Sequence, residues 1–320
     1  MLRTNLFVIV CHLLLLQTEN ASSQSHGDTL RIAYNVLYDK ESDNYEIFVM
    51  NADGTGKKNI SNWKGVDWVY YAYEDKLYFV SDRDTTHRMY FLYEMDADGK
   101  NVRKVCPFRL EDSWLSSRKS GKEFVVTGRK DGLRHTLYLI DKDGNILKQL
   151  TTDTTRYHND PCFSPDGREI VFRYKNNRRD QTELDELWIM NDNGTNIRQL
   201  TRYPTEDTTS KWHDYHAGPP FWEPNSNVIS YISMRQGNYS IFTIKPDGTR
   251  EKQLTDNETN EGYHAWSPDG KMIAFDASDI DGNKYSIYLM NADGTGVKQL
   301  TNEYKFEQAP VFVKSPTREQ

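Results

Sequence analysis

Six glycines, Gly54, Gly99, Gly144, Gly194, Gly248 and Gly294, each follow Asp or Asn at the end of a strand-like run, and they recur 45, 45, 50, 54 and 46 residues apart. Glycine in that place takes the positive φ that closes a tight hairpin. After four of the turns a second stretch ends in Gln-Leu-Thr, at Thr151, Thr201, Thr255 and Thr301, with Ile60-Ser61 and Val105-Cys106 as degenerate versions. A period of this size means repeated units that cannot bury their apolar faces alone, so neighbours must stack.

The last copy shows the unit best. It runs Tyr263-His264-Ala265-Trp266-Ser267-Pro268-Asp269-Gly270, then Met272 to Phe275, Ser286 to Met290, the Asn291 to Gly294 turn, and Val297 to Thr301. Each stretch is short, rich in β-branched or aromatic residues and bounded by turn chemistry, which makes four strands. Phe163-Ser164-Pro165-Asp166-Gly167 repeats the first hairpin closely and Phe221-Trp222-Glu223-Pro224-Asn225 loosely. The chain ends carry further information. The first strand-like run, Leu30 to Val36, reads as the second strand of a unit, whereas Ala309 to Val313 reads as a first strand. One unit is therefore expected to be assembled from both ends, closing a ring without open sheet edges.

Trp266-Ser-Pro-Asp-Gly-Lys-Met-Ile-Ala-Phe and Ile287-Tyr-Leu-Met-Asn-Ala-Asp-Gly-Thr resemble the repeat of TolB-like β-propellers. The resemblance covers nearly all of residues 24–320. With six units it implies an all-β fold, a single six-bladed β-propeller of four-stranded antiparallel blades whose N- and C-terminal strands pair in one blade.

Residues 1–23 read as an export signal, with Arg3 ahead of an apolar run from Leu6 to Leu16 and small residues at Ala21-Ser22-Ser23. The mature chain is expected to start near Gln24 and to be secreted or periplasmic. Val10 precedes Cys11 where a lipoprotein site needs a small residue, which argues against a lipid anchor. The run falls short of the roughly 20 residues of a membrane span. A net charge of −7 argues against nucleic acid, whose phosphates select a basic stripe. Cys106 and Cys162 fall on an outermost and an innermost strand of different blades, beyond the reach of a disulfide, so two free thiols are expected.

In such a ring the Pro-Asp-Gly and Asp-Gly-Thr hairpins share one face, and the variable connections, where binding usually resides, share the other. His87, His135, His158, His213, His216 and His264 all fall at the variable connections, with Trp212, Tyr215 and Tyr263 among them. His158, His213, His216 and His264 come from consecutive blades. They are either a convergent site for zinc, manganese or another imidazole-binding divalent metal, or separate loop histidines. Arg83, Arg129, Arg156 and Arg235, with Arg173 and others, gather on the same face. Their forks suit the carboxylate of an acidic sugar or peptide, although arginine is also an ordinary strand end in this repeat. Asp96-Ala-Asp98, Asp141-Lys-Asp143 and Asp276, Asp279 and Asp281 resemble the start of a calcium loop but lack its terminal Glu.

The sequence holds no nucleophile elbow, metalloprotease helix or phosphate loop. Two functions remain. The first is a monomeric, non-enzymatic module that binds a protein, peptide or glycan through the variable face, with Arg83, Arg129, Arg156, Trp212 and Arg235 as contacts. The second is a metal-assisted lyase acting on acidic oligosaccharides, with His213, His216, Tyr215 and Tyr263 as candidate catalytic groups. Oligogalacturonate lyases look similar in joining a TolB-like propeller to a histidine-bound metal.

Overall fold

In a computed structural model the described residues are 29–316, apart from 154, 181, 205, 210, 212, 213, 236, 257, 258 and 280. The expected signal at 1–23, the expected start at Gln24, and Trp212 and His213 lie outside them. Each expected unit is a sheet of short antiparallel strands, and there are six sheets. Blade 1 joins Glu307–Lys314 to Leu30–Asp39, Asn44–Asn51 and Lys58–Asn59. Leu30 lies opposite Lys314 and Ile32 opposite Phe312, so the two ends of the chain close the ring as the repeat phase requires.

Blade 2 comprises Asp67–Tyr73, Lys76–Ser81, Phe91–Asp96 and Arg103–Lys104, and blade 4 comprises Tyr157–Phe163, Glu169–Lys175, Glu186–Asn191 and Arg198–Gln199. Blade 5 is built from Phe221–Trp222, Ile229–Arg235, Asn238–Ile244 and Lys252–Gln253, and blade 6 from Asn260–Trp266, Met272–Ser278, Tyr285–Asn291 and Lys298–Gln299. Blade 3 departs from the pattern. Its innermost strand is broken into Arg109–Leu110 and Ser116–Arg118, both pairing with Glu123–Lys130, and Leu133–Asp141 and Ile146–Gln149 complete it.

Both faces of each sheet are covered by neighbouring blades, so alternate side chains enter two different cores. In Lys76–Ser81, Leu77 and Phe79 pack into the seam with blade 1, while Tyr78 and Val80 pack into the seam with blade 3. This is the period-two rule of a strand applied to an element buried on both sides.

The two motifs that reveal the repeat meet each other across every seam. A Cβ added to Gly294 would lie 2.7 Å from the carbonyl oxygen of Leu254, the leucine of the preceding blade's Gln-Leu-Thr. The same relation joins Gly194 to Leu150 at 2.7 Å, Gly99 to Ile60 and Gly144 to Val105 at 2.2 Å, and Gly248 to Leu200 and Gly54 to Leu300 at 3.3 Å. Within its own blade the motif is pinned twice. The Leu254 N–H donates to Ile241 O at 2.8 Å, and the Thr255 hydroxyl accepts from Ile241 N–H at 2.9 Å. Thr151, Thr201, Thr301 and Ser61 accept from the third strand in the same way.

The Asp-rich turns are held by hairpin chemistry. The Asp141 carboxylate accepts the N–H groups of Asp143 and Asn145 at 2.9 Å, which is the Asx arrangement of a tight turn. Cys106 and Cys162 are free thiols, as expected. Cys162 packs against the core between blades 4 and 5 while bordering a cavity.

Two glycines separate backbone strain from seam contact. Gly132 and Gly144 have φ of +83° and +80°, but a Cβ on Gly132 meets nothing within 4 Å. Gly132→Ala is expected to cost about 1–2 kcal/mol from the backbone alone. Gly144→Ala should cost roughly 2 kcal/mol more through overlap with Val105 and Cys106. Urea denaturation of both variants checks this, and equal losses would show that the seam yields.

Candidate functional site

Side chains from four blades fill the axis of the ring. Trp114, in the interruption of blade 3's innermost strand, places its ring 4.5 Å from Tyr70 of blade 2 and 4.4 Å from Tyr263 of blade 6, with Phe221 of blade 5 edge-on at 6.4 Å. Register breaks in the innermost strands put these groups there. The pairing slips between Val69 and Tyr71, between Asn159 and Cys162, and between Glu261 and His264. Tyr70, Asp160 and Tyr263 fall within those slips and all contact Trp114, Asp160 by accepting its backbone N–H at 3.0 Å. A bulge re-aims a side chain in this way. The plug leaves a separate concavity at each mouth.

On the variable-loop face a cavity of about 360 Å³ is bordered by Arg173, Asp185, His216, Tyr263, Asp276 and Tyr285, among others. Arg173 lies near the end of the second strand of blade 4 and is spanned by carboxylates. It donates to Asp160, to Asp185 at 3.3 Å and to the Tyr157 hydroxyl at 3.2 Å. Burial alone would lower its pKa, but the Asp160 charge more than reverses this and keeps the guanidinium charged. Asp185 is held below its ordinary pKa despite burial by its His216 contact and by Arg173 and Lys175.

Asp276 has a different setting. It is 0% exposed, and its Oδ2 accepts the Ala309 N–H of the next blade at 2.7 Å. Burial pushes its carboxyl up to about 7, offset in part by the backbone N–H groups of Ala309 and Tyr263. Gly262 makes room for it, since a Cβ there would fall 1.9 Å from Asp276 Oδ1.

The arginines expected to bind a ligand are committed to carboxylates. Arg83 pairs with Asp67 under the Trp63, Phe79 and Tyr93 rings. Arg129 grips both oxygens of Glu111 at 3.1 Å, Arg156 pairs with Asp153 at 2.7 Å, and Arg235 holds Glu251 at 2.8 and 3.0 Å while lying over Phe242.

The described members of the expected metal set, His158, His216 and His264, bond to different partners. His158, 4% exposed, donates toward the His135 carbonyl at 3.3 Å, and His264, 1% exposed, shares a 2.7 Å hydrogen bond with the Ser230 hydroxyl. Burial lowers their pKa values to about 4 and about 3. His216 accepts the Asp185 N–H at 3.2 Å. Among the described residues, no three His, Cys, Asp or Glu side chains are gathered so as to hold a metal ion. Of the candidate catalytic groups, His216 and Tyr263 share the pocket. Tyr215 donates its hydroxyl to Asp207 at 2.9 Å and does not border the pocket.

The larger concavity, about 660 Å³, opens on the hairpin face. Tyr71, Phe163, Trp222, Trp266 and Phe312 border it, with Arg118 at its edge. In the sequence this mouth is hidden, because the aromatic ahead of each turn reads as hairpin chemistry. The repeated pairs Phe163-Ser164, Trp222-Glu223 and Trp266-Ser267 were the available signal.

The signature of the TolB beta propeller domain matches residues 20–212, more than half of the chain. The chain belongs to this family. The dipeptidyl peptidase IV N-terminal region, another propeller signature, matches residues 163–313. A TolB homolog of Chlorobium luteolum is 28% identical over 163 residues, half of this chain but only 33% of that protein. The chain thus spans about a third of that relative's length. TolB from Acinetobacter baumannii superposes with a TM-score of 0.68 at 18% identity, covering 91% of this chain and 68% of that one. An oligogalacturonate lyase solved with manganese gives 0.54 at 15% identity, covering 84% and 73%. At such identities the likeness is one of fold.

Asp276 supplies a titration test. A carboxyl at about 7 in the fold, against about 3.8 when unfolded, keeps its proton longer in the native state. Its contribution is therefore most favourable below the unfolded value and is lost as pH rises toward 7. Asp276→Asn keeps an oxygen for Ala309 and does not titrate. The variant's stability relative to the native protein is expected to rise from about pH 5 to pH 8 in thermal melts. A constant difference would show an ordinary carboxyl.

Proposed function

We propose that this chain is an exported, non-enzymatic binding module that receives a protein or peptide ligand on its variable-loop face. The observation that carries this reading is the floored pocket of about 360 Å³ at that mouth. Blade 4 contributes Arg173 and Asp185, the connection into blade 5 contributes His216 to Pro219, blade 6 contributes Tyr263 and Asp276, and blade 1 contributes Gln308. A concavity assembled from several packed blades is preorganised, which lowers the ordering cost of binding. Nearby carboxylates, mostly of the same blade, take up the arginines that the sequence offers as ligands, so recognition falls to the pocket and to the loops around it.

Export agrees with the leader-like sequence at 1–23. Among the described residues no helix is long and apolar enough to cross a membrane.

The test uses one variant pair on each face. Tyr239→Ala with Tyr285→Ala opens the variable-face pocket, and Lys119→Glu with Arg168→Glu reverses charge at the other mouth. A ligand recovered by crosslinking to the native protein should lose about tenfold in affinity with the first pair and bind the second as it binds the native protein. The reverse pattern would move docking to the hairpin face. Turnover of a uronate oligosaccharide by the native protein would overturn the non-enzymatic reading.

A further inference from the structure

The acidic ligand that the arginine-rich sequence suggests is the wrong charge for the pocket that forms. Arg173 is its one bordering guanidinium among the described residues, and that charge is already divided between Asp160 and Asp185. The carboxylates Asp185, Glu261 and Asp276 border the same space. Asp276 is the decisive group. It is wholly buried, its Oδ1 makes no well-formed hydrogen bond, and among the described residues no cation pairs with it. Its oxygens are steadied by the backbone N–H groups of Ala309 and Tyr263, which orient a carboxylate without neutralising it.

A buried carboxylate is costly unless a positive partner joins it. The fold supplies space for one. Asp276 borders the pocket beside Gly262, whose missing side chain leaves the room that its Oδ1 occupies. The rings of Tyr239, Tyr263 and Tyr285 line the remaining walls. Aromatic faces attract a desolvated cation, and their hydroxyls can accept its N–H groups. A volume near 360 Å³ suits one side chain or one small molecule.

We infer that this pocket is a binding site for a primary ammonium group on a short apolar stem, such as a lysine side chain of a protein ligand, with Asp276 as its counter-charge and the three tyrosines as its walls. The inference deepens the binding-module reading and rests on it. An acidic sugar or peptide carboxylate would instead face the negative side of the pocket.

Three probes of equal length separate the possibilities. Hexylamine, hexanol and hexanoate are titrated calorimetrically into the native protein at about pH 8, where the Asp276 carboxyl is ionised. Hexylamine should bind at least about tenfold more tightly than hexanol, the size of one charge-assisted hydrogen bond. Hexanoate should bind most weakly. Asp276→Asn should remove the amine preference by about the same factor and leave hexanol unchanged.

Tightest binding by hexanoate, equal binding of amine and alcohol, or no measurable binding of hexylamine each overturns the inference. So does a folded Asp276→Asn variant that retains the preference. If that variant does not fold, the preference of the native protein still decides. A protein ligand that is lost with Tyr239→Ala and Tyr285→Ala, yet is not displaced by hexylamine, would keep the binding module and discard the ammonium site. A ligand that depends only on the hairpin face, with hexylamine still preferred, would discard the module's assigned face and keep the site.

Discussion

The contact between a turn glycine and the carbonyl of the previous blade's leucine sets the spacing of the ring. It occurs at all six seams, including the one that joins blade 1 to blade 6. Its two sides depend on each other. The Gln-Leu-Thr segment is fixed against its own third strand by a backbone hydrogen bond and a threonine hydroxyl, so the carbonyl lies at a constant height. The glycine, having no Cβ, brings the next blade down onto that carbonyl. A side chain on either blade at that point would prise the seam open from its outer edge, and the alternating apolar layers beneath it would lose their contacts. The repeat is conspicuous in the sequence because the seam tolerates few substitutes.

What the sequence discloses follows from this. Turn glycines, the Pro-Asp-Gly hairpins and the Leu-Thr closures are local requirements of the backbone, so they can be read one unit at a time, and the phase of the terminal strands then discloses the closed ring. The axial plug is not local. Trp114 sits where an innermost strand is interrupted, and Tyr70 and Tyr263 sit where pairing slips, so the alternation that identifies inward residues fails at these positions. His216 and Tyr263 could be singled out as loop-face residues, whereas Tyr239 and Tyr285 look like ordinary strand residues until blades 5 and 6 are brought together.

The arginines misdirect for a related reason. Arg129 finds Glu111 and Arg235 finds Glu251, partners 18 and 16 residues away just outside the strands. A one-dimensional reading registers the guanidinium on a loop face and misses the carboxylate that occupies it. Pairing of this kind adds little net stability at a partly exposed surface, but it removes arginine from the supply of groups open to a ligand. Asp276 is the converse case. The sequence groups it with acids suggestive of calcium, while the fold separates it and buries it opposite a glycine.

The plugged axis makes the molecule a partition. Trp114 and its neighbours stand between the two mouths, and no described residue borders both concavities. The aromatic chamber and the acidic one therefore present unlike linings at opposite mouths of a single ring.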